Sequence, residues 1–292
     1  MNAPIGLLLI DKPPGPSSHD VVNRLRKLSS TRRIGHAGTL DPLASGLMLL
    51  CLGRATRLVE YLVGLPKVYE TTVRLGQTTE TYDAEGRVAV ERPFSHLTPA
   101  AIEAALRRLR GTIWQQPPRY SAIKQGGQPL YKLARQGVAA AAPIRPVTIY
   151  ALDLLAWEPP ILRLRVACSS GTYIRSLGHD LGEALGCGGH LAALRRTAVG
   201  PFCLEQAVPL ADLTPENWEA ALRPTETAVA HLPRLTLPVP DVERLLLGQR
   251  LPRHTGHPVG AFVALADPAG QFCGVLLAQE EYWQPHKMFP PA

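Results

Sequence analysis

The stretch Gly35-His-Ala-Gly-Thr-Leu-Asp-Pro-Leu-Ala-Ser-Gly46 runs straight into Leu47-Met-Leu-Leu-Cys-Leu52, and the fold turns on how this junction is read. Twelve residues with three glycines and a proline point to a loop. Six apolar residues between Gly46 and Gly53 suit a strand in the middle of a sheet better than a short helix. Upstream, Gly6 to Pro13 is a second buried strand entering a Pro-Gly turn. Ser17 and Ser18 are candidate caps for a helix through Val21, Val22, Leu25 and Leu28. The loop itself covers Arg33 to Ser45.

Downstream, Lys67 to Leu75 alternates with β-branched residues and reads as a strand, and Asp83-Ala-Glu-Gly86 reads as a turn. Thr98 and Pro99 open an alanine-rich helix to Arg110 as cap and first-turn proline. Val147 to Trp157 and Ile161 to Cys168 resemble paired strands, Gly171 turns the chain, and Thr172 to Leu185 has helical spacing. Strands and helices alternate without a regular βαβ period, so the class is α+β rather than a doubly wound sheet. Prolines at Pro233, Pro238 and Pro240 mark a boundary, giving a large part (residues 1–236) and a small β-rich module (237–292). Short strands at Ala261 to Ala266 and Gln271 to Ala278 surround Asp267-Pro-Ala-Gly270 in that module. No repeat of fixed period is present, which argues against a solenoid or propeller.

The chain of 292 residues carries 31 Lys and Arg against 24 Asp and Glu, a net charge of +7. No acidic residue lies between Glu103 and Asp153, where Arg107, Arg108, Arg110, Arg119, Lys124, Lys132, Arg135 and Arg145 fall. That block exceeds the whole surplus, and the remainder nets −1. It is either a solvated basic face or a docking surface for a polyanion such as nucleic acid. Between Pro117 and Pro146 it sits in a segment with Pro-Pro, Gly-Gly and an alanine run, which reads as an insertion. With 46% hydrophobic and 19% charged residues the chain can bury a sizeable core. The early apolar run, Leu7 to Ile10, is too short to span a bilayer and has no basic segment before it, so a soluble, cytoplasmic protein is expected. Five cysteines without a CxxC pair suit reduced thiols.

Candidate chemistry concentrates in the glycine-rich loop. Pro42 restricts Asp41 to an extended conformation and the glycines permit close backbone approach, so the carboxylate could stand at the floor of a cleft. Asp41-Pro42 could equally begin an ordinary turn, and His36 could be a structural hydrogen-bonder. There is no GxxxxGK[ST] loop and no GxGxxG after a strand, so neither nucleoside triphosphate hydrolysis nor dinucleotide binding is supported. Cys187, His190 and His179 could be drawn as a zinc set, but no second pair at finger-like spacing completes it, and no metal is expected.

The loop closely resembles the catalytic motif of the TruB family of tRNA pseudouridine synthases. The resemblance continues in order through Asp11-Lys-Pro13, Lys67-Val-Tyr-Glu70, Tyr120-Ser-Ala-Ile-Lys124, Leu130-Tyr131 with Ala134-Arg-Gln-Gly137, Gly171-Thr-Tyr-Ile-Arg175 and Leu194-Arg-Arg196. It covers roughly residues 5 to 230 strongly and the tail weakly. It implies a mixed, largely antiparallel sheet of the pseudouridine synthase type flanked by helices and loops. It also implies a reaction, isomerisation of uridine 55 in the T arm of tRNA to pseudouridine, with no cofactor because uracil is itself leaving group and carbon nucleophile.

By the same resemblance Asp41 is the essential aspartate, adding to the base, forming a ribose ester or passing through a glycal. Arg175 is the cation that keeps it ionised. Tyr69 stacks beneath the flipped base, Tyr173 and Leu194 wall the pocket opposite, and His36 supports the RNA loop the base has left. Lys12 lies in the first motif and either contacts substrate or orients its strand. The insertion at 117–146 corresponds to the family's thumb, with Lys124, Lys132 and Arg135 reaching phosphates. The last module stands at the PUA position, which touches the acceptor stem. A stand-alone monomer acting on tRNA, with no obligatory protein partner and no membrane association, is expected. The competing readings are a tRNA-folding chaperone and a guide-RNA-dependent synthase subunit.

Overall fold

In the computed structural model, residues 4–118, 120–121, 124–129, 136, 142–253 and 256–290 are described. The apolar runs at the start become β1 (Gly6–Lys12) and β3 (Ser45–Leu52), paired antiparallel from Gly6 opposite Leu52 to Lys12 opposite Gly46. Both faces of this pair are covered, which is why neither strand alternates. Leu8, Ile10, Met48 and Leu50 face the Ser18–Ser29 helix through Val21, Val22 and Leu25. Leu7, Leu9, Leu47 and Leu49 face Tyr61, Leu62, Phe202 and Phe289. Ser17 alone caps the 18–29 helix, in a capping box with Asp20. The glycine-rich segment is not wholly loop, since it contains β2 (Ile34–His36), paired with β3.

β4 (Lys67–Leu75) follows a short helix, Val59–Val63. A ribbon of β5 (Gln77–Thr79) and β6 (Val88–Glu91) brackets the Asp83 turn. The Pro99–Arg108 helix is capped by Thr98 and leads to β7 (Gly111–Gln115). Backbone pairing of β8 (Lys124–Gln125) with β9 (Gln128–Pro129) lies inside the basic segment. Then come β10 (Arg145–Glu158), β11 (Ile161–Cys168), the Ile174–Ala184 helix, β12 (Gly189–Val199), β13 (Phe202–Cys203) and β14 (Val208–Pro209).

Among the described residues the main sheet runs β14-β1-β3-β12-β4-β11-β10-β7. The sheet is mixed, as expected. β12 fills the gap between β3 and β4, parallel to the first and antiparallel to the second. The contact with β3 is tight at Gly46, whose φ is +102° and where a Cβ would meet the Arg196 carbonyl oxygen at 2.3 Å. Beyond β12 one face of the sheet is open, so β4 and β11 alternate buried and exposed residues.

A second sheet, β15-β17-β18-β19-β16, comprises β15 (Arg234–Thr236), β16 (Leu251–Pro252), β17 (Phe262–Ala266), β18 (Phe272–Ala278) and β19 (Tyr282–Met288). Its core is Leu235, Val242, Leu245, Val263, Leu265, Leu276 and Trp283, closed by the Val239–Leu246 helix. It abuts the 59–63 helix through Lys287 on Glu60 at 2.9 Å, Arg57 donating to the Met288 carbonyl at 2.8 Å, and Tyr61 bonded to His286. No helix among the described residues is long and apolar enough to cross a membrane.

Candidate active site

The loop that carries Asp41 is pinned at every second residue. Arg196, 1% exposed, donates from Nη2 to the Gly38 carbonyl at 3.1 Å and from Nε to the Leu47 carbonyl at 2.7 Å. Ser18 Oγ, free of capping duty, accepts from Leu40 N at 2.8 Å and donates to Leu40 O at 2.9 Å. Gly15 N and Lys12 Nζ both donate to the Pro42 carbonyl, at 2.8 and 3.4 Å. With residues 38, 40 and 42 held by these bonds, the 39–41 stretch lines the cleft and Asp41 stands in it. Asp41-Pro42 does begin a turn, closed by Ala44 N on Asp41 O at 3.0 Å. The turn and the presented carboxylate are one structure.

The cleft is lined by Thr39, Leu40, Asp41, Tyr69, Thr172, Tyr173, Ile174, Arg175 and Leu194. Asp41, Tyr69, Tyr173, Arg175 and Leu194, drawn from positions 41 to 194, are thereby brought together. Tyr69 comes from β4 and Leu194 from β12, and each is less than a tenth exposed. A wider cleft shares Thr39, Tyr69, Thr172 and Tyr173 and continues along Lys67, Arg145, Ser169, Ser170 and Gly171.

Arg175 Nε lies 2.9 Å from Asp41 Oδ2 and its Nη1 lies 3.2 Å from Asp83 Oδ2. The Nε hydrogen is not aligned on the carboxylate, so the contact with Asp41 is an ion pair held by charge. Its remaining donors go to the carbonyls of Thr81 at 3.3 Å and Tyr120 at 2.9 Å. Asp83 is 3% exposed and has its own supports, the Thr81 hydroxyl and the Glu85 amide on Oδ1. The turn that holds it hooks onto β12 through Leu191 N to Tyr82 O at 3.0 Å and Ala84 N to Leu191 O at 2.9 Å. The reading of Asp83 as a turn residue thus missed a site member, because turn chemistry and a buried carboxylate leave the same Asp-Ala-Glu-Gly signature.

Asp41 keeps 38% of its side-chain surface exposed toward the cleft. The dense walls around it still push its carboxyl above the usual range; Arg175 opposes that, Asp83 adds to it, and Lys12 opposes it. Burial likewise raises the Tyr69 phenol, against the Arg196 cation. Carboxylate, shared guanidinium and flat apolar walls suit a planar neutral ring beside an ionised base or nucleophile.

Lys12 does not reach the cleft. It is fully buried, with Nζ on the carbonyls of Pro13, Pro16 and Pro42, and burial lowers its pKa to about 8. Those bonds tie its strand to the Asp41 turn. His36 is half-buried at the end of β2 and is not among the cleft-lining residues; burial and then Arg196 lower its pKa. Lys132 and Arg135, and the side chain of Lys124, lie outside the described residues. The basic block is also not uniform: Arg110 pairs with Glu103 and binds the Leu152 carbonyl, and Arg145 binds the Gly171 carbonyl. Cys187, His190 and His179 serve separate places, Cys187 on Gly188 O, His190 on Gln77 O and His179 stacked on Tyr82.

Residues 26–174 match the family model described as TruB family pseudouridylate synthase (N terminal domain), and residues 175–241 match the tRNA pseudouridylate synthase B C-terminal domain. Proteins named tRNA pseudouridine synthase B are similar along most of their length. That of Ralstonia pickettii is 50% identical, covering 87% of this chain and 81% of its own. That of Xanthomonas campestris is 45% identical, covering 97% and 94%. Among solved structures, a Cbf5-Nop10-Gar1 complex matches with TM-score 0.78 at 28% identity, covering 98% of this chain and 85% of that one. An H/ACA RNP bound to a substrate RNA containing 2'-deoxyuridine matches with TM-score 0.77 at 27% identity, with the same coverage.

Proposed function

The chain belongs to the TruB family of pseudouridylate synthases, and from that premise we propose that it converts uridine 55 in the T arm of tRNA to pseudouridine with Asp41 as the reacting group. The observation that carries the assignment of Asp41 is its ion pair with Arg175 at the head of a cleft walled by Tyr69, Tyr173 and Leu194. The glycosidic bond from N1 to C1′ breaks, the uracil turns, and C5 bonds to C1′. The C5 proton leaves and N1 gains one, so no outside electron donor or acceptor enters. Asp41 either attacks carbon or acts on the ribose; in each route it must be ionised, and Arg175 favours that state.

Tyr69 provides the floor under the ring, and Tyr173 and Leu194 the opposite wall. Entry to so enclosed a cleft requires that the base leave its stack, a cost of a few kcal/mol that such contacts offset. Lys124, Lys132 and Arg135 contribute phosphate contacts and His36 supports the loop left by the base. The module at 237–292 contacts the acceptor stem in the manner of a PUA module. The enzyme works in the cytoplasm as a monomer without obligatory partners. The solved neighbours, an H/ACA RNP and a Cbf5-Nop10-Gar1 complex, are 27–28% identical, whereas relatives named tRNA pseudouridine synthase B reach 50%, which favours a tRNA substrate.

The test is an unmodified tRNA transcript with tritium at uridine C5. The protein alone should release one equivalent from a single site, and Asp41→Asn should release none. No release by the wild-type chain, or release only with added protein partners, would overturn the reading.

A further inference from the structure

The Ile174–Ala184 helix, which carries Arg175, starts without a side-chain cap of its own: its N-cap residue, Tyr173, makes no capping bond. Its start is instead held from β7. Gln115, 1% exposed at the end of that strand, accepts from Tyr173 N at 2.8 Å and donates from Nε2 to Tyr173 O at 3.0 Å. One amide therefore holds the backbone of the pocket-wall residue on both sides. Directly opposite Gln115 in the ladder stands Arg145. Its guanidinium lies 5.2 Å from the centroid of the Tyr173 ring and donates to the Gly171 carbonyl. The next turns of the same segments repeat the pattern, with Ser176 Oγ donating to Gln116 O at 2.7 Å and Arg175 Nη2 to Tyr120 O at 2.9 Å.

We infer that Gln115 is a positioning residue for the isomerisation, which sets the Tyr173 wall and, through the helix start, the Arg175 guanidinium against Asp41. Resting on the function proposed above, the inference adds a group that touches no substrate. A glutamine chosen for packing alone would need no paired backbone bonds across 58 positions of sequence, and an apolar residue would fill the same space. Reacting groups tolerate little misplacement, about a hundredfold in rate for an ångström.

Gln115→Met keeps the volume and removes both bonds; Gln115→Glu keeps the acceptor for Tyr173 N and loses the donor. With enzyme in excess over bound tRNA, the single-turnover rate should fall about 10–100-fold in Gln115→Met. The rate should fall in Gln115→Glu as well, whose carboxylate would face the Tyr173 carbonyl without a donor, with the dissociation constant for tRNA within about threefold of wild type in both. The acid limb of the rate should also move to higher pH in Gln115→Met. The groups facing Asp41 are Arg175, Asp83, Lys12 and the Tyr69 phenol, with Glu85 near, and withdrawal of Arg175 leaves its carboxyl harder to ionise. A purely structural glutamine would lower the melting temperature and leave the pH profile in place. A full rate in Gln115→Met, or a reduced rate with an unmoved acid limb, overturns the inference. Should that variant not melt cooperatively, the same two readouts on Gln115→Glu decide. Failure of the wild-type chain to release tritium would sink the functional reading instead.

Discussion

The two sheets of this protein bury different things. In and behind the cleft walls the main sheet encloses Lys12, Lys67, Asp83, Arg175 and Arg196, each less than a tenth exposed. After Arg196 no charged side chain among the described residues is buried, and the β15–β19 module closes on an apolar core. Burying a charge is costly unless its hydrogen bonds are met. Three of the four cations meet them on backbone carbonyls, Lys12 on 13, 16 and 42, Lys67 on 63 and 65, Arg196 on 38 and 47, and Arg175 divides its donors between the carbonyls of 81 and 120 and the carboxylates of Asp41 and Asp83. An apolar core would be the cheaper filling, but it cannot hold irregular backbone in one shape. The charged interior therefore marks where loop geometry matters, and the apolar one marks where only a platform is needed.

The sharpest break in this comparison is Asp41→Asn, expected to reduce the single-turnover rate at least about ten-thousandfold with tRNA binding retained. A variant within tenfold of wild type would remove Asp41 from the chemistry. Next, Asp83→Asn should cost about 10²–10³ in the same rate, because Arg175 then loses the carboxylate that holds its far side. An unchanged rate would make Asp83 a packing residue. Arg175→Met probes the charge itself. Burial already raises the Asp41 carboxyl and Arg175 counters it, so without the cation the carboxyl climbs further. The acid limb of the residual rate must then shift upward in pH; a downward shift would contradict the ion pair. Smallest for catalysis, and largest for folding, is Leu265→Ala in the second sheet. It should cost about 2–5 kcal/mol in a denaturant melt while the rate at saturating tRNA stays within about twofold. A collapse of that rate would show the module to be more than a platform.

Much of the architecture is legible without coordinates where burial is uniform. β1 and β3 stand out as apolar runs because both faces are covered, and β4 and β11 as alternations because one face is open. β12 is harder to read, although it is central. His190 and Arg196 are buried in it and Ala193 is exposed, so its polarity pattern conceals the strand. Asp41 is legible through its motif, and the partners Tyr69, Arg175 and Leu194 through theirs. Asp83 and Gln115 are not, since their roles depend on partners 92 and 58 positions away. Lys12 carries the reverse lesson: a lysine in a functional motif leaves substrate contact and strand support equally open, and only the structure reveals its three carbonyl partners.

The place of β12 has a consequence for how the protein is made. β3 and β4 leave the ribosome more than a hundred residues before the strand that belongs between them. Until Gly189–Val199 is synthesised, β4 lacks its neighbour on that edge and β3, which β2 covers only at 50–52, leaves its Ser45–Gly46 end unpaired, the kind of template on which chains associate wrongly. The half of the cleft that bears Asp41 and Tyr69 thus waits through most of translation for the half that bears Arg175 and Leu194, and the nascent chain's exposure to misassembly is set by topology rather than by composition.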